Sequence, residues 1–84
     1  MKFYYVTFRS VTHAQRGERL LQKEGIRCTL LRTPKWMESQ GCGYSLRFRA
    51  ADLLPVISLL REKAIIFRRV YGQNPDGTLE EVAV

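Results

Sequence analysis

Two cysteines and one histidine are the side chains in this 84-residue chain best suited to covalent or acid–base chemistry: Cys28, Cys42 and His13. Cys42 stands between Gly41 and Gly43, at the end of a polar loop and just before a strand-like run, Tyr44 to Phe48. A thiol reacts as its thiolate, whose formation is favoured by nearby cations and backbone N–H groups. Flanking glycines leave the backbone free to reach positive φ, so that N–H groups can converge on an anion. Lys35, Arg47 and Arg49 are close in sequence and could add positive potential. On the local residues alone a second reading stays open, in which Cys42 is a small apolar plug at a tight turn.

Cys28 lies between Ile26 and Leu30 at an inward strand position, where a thiol is ordinarily core packing. His13 falls in the first turn of a helix beside Ser10 and Thr12. It could act as a base for the thiol, or be a solvated first-turn residue. The helix start at Ser10, preceded by Arg9, is a candidate anion site. Three Cys and His residues are too few for the four ligands of a structural zinc site, so no metal and no cofactor is expected. Trp36 and Met37 are large apolar residues in a loop that needs none. Either they fold under it or they form a knob for docking a partner.

The elements that must position these residues follow from periodicity. Lys2 to Phe8 is aromatic and β-branched on both faces and predicts a central strand. Val11, Ala14, Gly17, Leu20 and Leu21 share one face of a helix running to Glu24, with N-cap choices at Ser10 and Thr12 and a Thr12–Gln15 capping box. Gly25 suits the left-handed position that closes it. A second strand is predicted over Ile26–Arg32, stopped by Pro34. The third is Tyr44–Phe48. A second helix begins near Asp52, with Leu53, Val56, Ile57 and Leu60 as its core stripe. A fourth strand is predicted over Ile65–Tyr71. Asn74-Pro75-Asp76-Gly77 is a turn, and Thr78–Val84 is an edge strand or a tail.

The order β-α-β-β-α-β predicts an α+β, ferredoxin-like sandwich: one four-stranded antiparallel sheet with two helices on one face, and room for an extra C-terminal strand. The expected division is a domain over 1–71 and a tail or edge strand over 72–84. In that topology the start of the third strand meets the end of the first, which brings Cys42 toward Ser10–His13.

Composition bounds the rest. The length suits one domain with a thin core. The net charge of +6 comes from ten arginines and four lysines against eight acids. No apolar run approaches the roughly 20 residues that span a bilayer. The N-terminus is too short and too aromatic for a signal peptide, so a cytoplasmic protein without a membrane partner is expected. Excess base could serve nucleic acid, and Tyr5, Tyr44 and Phe48 would be the stacking residues of such a sheet. The order Gly43-Tyr44-Ser45-Leu46-Arg47-Phe48 does not fit the aromatic RNA-binding octapeptide, which argues against nucleic acid.

From about Tyr4 to Tyr71 the chain resembles the putative selenium/sulfur carrier protein-like family, a domain of small bacterial proteins. The resemblance rests on Thr7-Phe8, the Ser/Thr-rich turn Ser10–Ala14, Glu18 with Leu20-Leu21, Gly25-Ile26, Thr33-Pro34-Lys35, Ser39, and Cys42-Gly43 followed by Leu46-Arg47-Phe48. Gly41 stands where a small polar residue is common in the family, and Arg9 where proline is frequent. The resemblance implies that Cys42 carries sulfur or selenium as a persulfide or selenopersulfide and passes it between donor and acceptor proteins. Ser39 and the Gly43 N–H would then hydrogen-bond the anion, and Arg47 would help to depress its pKa. Such a protein is a carrier rather than a catalyst in its own right. The alternative is a non-enzymatic binding or assembly module in which Cys42 is structural. Its docking surface would be Trp36-Met37, the basic surface, or a C-terminal edge that pairs with a second copy.

Overall fold

The computed structural model describes residues 2–33 and 43–84. The elements are β1 (Phe3–Phe8), α1 (Val11–Lys23), β2 (Cys28–Arg32), β3 (Tyr44–Arg49), a short 3-10 turn (Ala50–Asp52), α2 (Leu53–Glu62), β4 (Val70–Gln73) and β5 (Leu79–Val82). The sheet is antiparallel throughout, with the order β2-β3-β1-β4-β5. The fifth strand is the C-terminal segment, left open in the sequence as an edge strand or a tail, which pairs with β4. Gly77, at φ +89°, and the bonds from Thr78 to the Asp76 carboxylate form the turn that allows this. Those bonds hold the Asp76 carboxyl below its ordinary pKa.

The register separates the two sheet faces. Tyr4, Val6 and Phe8 lie opposite Phe48, Leu46 and Tyr44, and Val6 also lies opposite Val70. This face and the buried residues of both helices (Ala14, Leu21, Val56, Ile57 and Leu60) form one core. Tyr44 and Phe48 are therefore not on a stacking surface with Tyr5, which alternation puts on the other face. Phe48 is 1% exposed and its ring stacks on Tyr4. Helix α1 packs closest at Gly17, where an added Cβ would lie 3.1 Å from Leu46 Cδ1 and 3.3 Å from Phe8 Cζ. The weak helix propensity of glycine is offset there by this close approach.

Ser10, not Thr12, is the N-cap of α1: its hydroxyl accepts the His13 N–H, and Thr12 is an exposed residue within the helix. Both helices end in the same way. Gly25 N–H bonds to Gln22 O and Ile26 N–H to Leu21 O; Ala64 N–H bonds to Arg61 O and Ile65 N–H to Leu60 O. Each is a Schellman closure, with a left-handed residue followed by an apolar one that turns back into the core. Ala64 occupies its left-handed position at φ 55° without the freedom of glycine. This second closure explains why β4 begins at Val70 rather than Ile65. Ile65 is the buried plug of the joint, and Ile66 points outward at 70% exposure. Arg68 and Arg69 then bond to the single residue Thr7, through its main chain and its hydroxyl, with the two-against-one count of a bulge.

The two joints make opposite predictions. Ala64→Gly should raise stability, and Gly25→Ala lower it, by about 1 kcal/mol each, because only glycine adopts positive φ at little cost. Urea unfolding midpoints of the two variants check this, and a destabilised Ala64→Gly protein would contradict it.

Candidate functional site

At the ends of β2 and β3, Thr33 and Gly43 bracket the segment that carries Cys42. Thr33 N–H bonds to Gly43 O at 2.9 Å, extending the β2–β3 ladder past the strand ends. Beside this bond the Thr33 and Ser45 hydroxyls share a hydrogen bond, and both residues are buried. Gly43 is buried too, and an added Cβ would lie 3.3 Å from the Phe8 carbonyl oxygen. Its φ is not positive; among the described residues only Gly25, Ala64 and Gly77 have that conformation. Glycine at 43 therefore answers close approach to Phe8 rather than a left-handed turn.

Phe8 ends β1, and two residues later Ser10 starts α1. Here Ser10 Oγ lies 2.8 Å from His13 Nδ1 while it also accepts the His13 backbone N–H. A hydroxyl both donates and accepts, so the Ser10 Oγ–His13 Nδ1 bond runs in either direction with the ring tautomer. His13, Ser10, Arg9, Ile66 and Arg68 line an open cleft of about 410 Å³ at this end of β1. The base of the loop and the first turn of α1 thus share one end of the sheet.

Of the residues singled out in the sequence, Gly43, Ser10 and His13 come together at that end. Ser39, Gly41, Cys42, Trp36 and Met37, with Lys35, lie outside the described residues. Arg47 is elsewhere. Its guanidinium sits 5.0 Å from the centroid of the Phe3 ring, and its position is four residues along β3 from Gly43, a rise of about 13 Å. Cys28 is half-buried, its Sγ 4.0 Å from Glu18 O, and its thiol is pushed up to about 11, first by burial and then by the Glu18 charge. Among the described residues no cluster of His, Cys, Asp or Glu could hold a metal ion, and no helix is long and apolar enough to cross a membrane.

Sequence reasoning missed the buried Thr33–Ser45 pair and the part of Ile66 and Arg68 in the cleft. The first had a signal: two hydroxyl residues at matching distances on either side of a loop. The second had none, because it depends on the joint after α2.

Comparison with known proteins gives one family match. A model described as putative Se/S carrier protein-like covers residues 3–72. No curated protein matches the chain.

Two predictions follow from the geometry. Thr33→Val and Ser45→Ala should each cost about 1–3 kcal/mol by stranding a buried partner, and the double variant should cost clearly less than their sum. Additive losses in a denaturation cycle would reject the pairing. Cys28 in the folded protein should alkylate about 100-fold more slowly at pH 8 than in the unfolded chain, since only the thiolate reacts. Peptide mapping after iodoacetamide treatment measures this, and equal rates in the two states would refute it.

Proposed function

The chain belongs to the putative Se/S carrier protein-like family, and on that footing we propose that Cys42 is a carrier thiol for sulfur or selenium. The observation that carries the reading is the base of the loop. Gly43, the residue next to Cys42, is tied to Thr33 and pressed on the Phe8 carbonyl, at the end of the sheet where α1 begins. A transferable atom attached there would be presented at an end of the protein, close to the cationic and hydroxyl groups of the Arg9–His13 turn.

The chemistry is exchange at a chalcogen. The Cys42 thiolate attacks the terminal sulfur of a donor persulfide. A new S–S bond forms to Cys42, the donor's own S–S bond breaks, and the donor leaves as a thiolate. No net oxidation occurs, because the transferred atom moves at the zero-valent level. Delivery repeats the step with an acceptor thiolate, which returns Cys42 to its starting state. Selenium follows the same course as a selenopersulfide. Ser39 and the Gly43 N–H are the hydrogen-bond donors to the anion in this reading. His13, hydrogen-bonded to Ser10, adds a further polar group at the helix turn. Arg47, held over Phe3 four residues along β3 from Gly43, contributes little to the anion through physiological salt.

The proposed scaffold is a ferredoxin-like sandwich built from β2-β3-β1-β4 and the two helices, with β5 added at one edge. A chain of this size encloses little volume, which suits a carrier that inserts its thiol into the sites of larger enzymes. Trp36 and Met37, in the same loop, would dock against those donor and acceptor proteins.

Intact-protein mass spectrometry tests the proposal. After incubation with a persulfide donor, the wild type should gain one sulfur (or one selenium from a selenium donor), reversibly by thiol reductant, and Cys42→Ser should gain nothing. The alkylation pKa of Cys42 should fall below the free value of about 8.5. An unshifted thiol and no adduct would end the carrier reading.

A further inference from the structure

The opposite end of the sheet carries a second feature, remote from the loop. Arg27, Arg47 and Arg49 line an open cleft of about 620 Å³ whose other walls include Phe3, Ile26 and Cys28, with no acidic residue among them. The volume lies within the roughly 300–1,000 Å³ of small-molecule sites. Among the described residues none of the three arginines is held by a carboxylate; the one such ion pair described joins Arg69 to Glu81. Arg47 and Arg49 project from the same face of β3, and Cys28, the residue after Arg27, lies opposite Phe48 between them. Three guanidinium groups are thus gathered where cross-strand like charges repel one another. Arg47 is moreover set in place over the Phe3 ring.

We propose that this cleft binds a compact phosphorylated small molecule, a phosphomonoester or diphosphate, with Arg27, Arg47 and Arg49 on its phosphoryl oxygens. Guanidinium groups match phosphate geometrically, donating two parallel N–H bonds to adjacent oxygens. At the end of α1, which also borders the cleft, the carbonyls of Leu20, Leu21 and Gln22 accept from Glu24, Ile26 and Gly25. A nucleic-acid strand running across the sheet fits less well. The positive character ends at β5, where Glu80 and Glu81 stand, and two aromatic rings of this face are covered: Phe3 lies under Arg47, and Tyr71 is 9% exposed.

The test is an amide NMR titration of the whole chain with pyrophosphate at fixed ionic strength. Saturable shifts should centre on Arg27, Thr29, Arg47 and Arg49. Arg27→Gln, an exposed position that should leave the fold intact, should weaken binding about tenfold, the scale of one charge-assisted contact. Arg61→Gln, at the far end of α2, should leave it unchanged. Shifts spread over all exposed arginines, or indifference to Arg27→Gln, would overturn the site. Tighter binding of a uridine oligonucleotide, with shifts across β1 and β4, would replace the small molecule with a strand and overturn it equally. Cys42→Ser should titrate like the wild type, so the fate of this inference and that of the carrier thiol are read separately.

Discussion

Phe8 is the residue on which the arrangement depends. Its ring is buried against Gly17, so it fixes where α1 meets the sheet, and its carbonyl is the atom that Gly43 abuts, so it also fixes where the loop begins. Side chain and main chain of one residue thereby set the helix start and the loop base at the same end of β1. The two glycines matter because they have no Cβ: a methyl at Gly17 would press on Leu46 and the Phe8 ring, and one at Gly43 on the Phe8 carbonyl oxygen. A small protein with a thin core can afford few such points, and this chain places two on one residue.

Around that point the chain uses one device twice. Each helix closes with a left-handed residue and returns to the core through an isoleucine, Ile26 or Ile65. The repetition is physical rather than a matter of composition, since one joint uses glycine and the other alanine. After the first joint the chain enters an edge strand. After the second it meets β1 at Thr7, whose hydroxyl both donates to Arg69 O and accepts the Arg69 N–H. The bulge there turns Ile66 and Arg68 toward the cleft at the start of α1.

The parts of the fold legible in the sequence were those written as a period. The α1 stripe from Ala14 to Leu21, the α2 stripe, the alternation in β1 and β3, and Gly25 as a stop all correspond to elements of the structure, while Val11, counted in the α1 stripe, is exposed. The parts that were not legible depend on partners. Ile65-Ile66-Phe67 has strand propensity, yet a strand needs a ladder, and the ladder starts only at Val70. Ala64 gives no sign of a positive φ, because alanine is the residue that helices otherwise favour. The Thr12–Gln15 box matched a capping pattern but lost to Ser10, which was better placed to accept the His13 N–H. At the site, the convergence of the β3 start on the α1 start was readable from topology alone. The aim of Arg47 was not, because sequence distance from Cys42 says nothing about which aromatic ring a guanidinium will choose.

That last difference bears on how the charge is used. Read along the chain, the basic residues look like one reservoir that could lower the pKa of a thiol. In the fold they separate into two groups. Arg9 and Arg68 line the cleft at the C-terminal end of β1, and Arg27, Arg47 and Arg49 line the one at its N-terminal end. The ends of β1 are about 17 Å apart along the strand, beyond the roughly 8–10 Å over which exposed charges act through physiological salt. A cation at one end therefore does little for an anion at the other. In the proposed carrier role a Cys42 thiolate draws on the groups near Gly43, while Arg27, Arg47 and Arg49 face the separate cleft proposed for a phosphate.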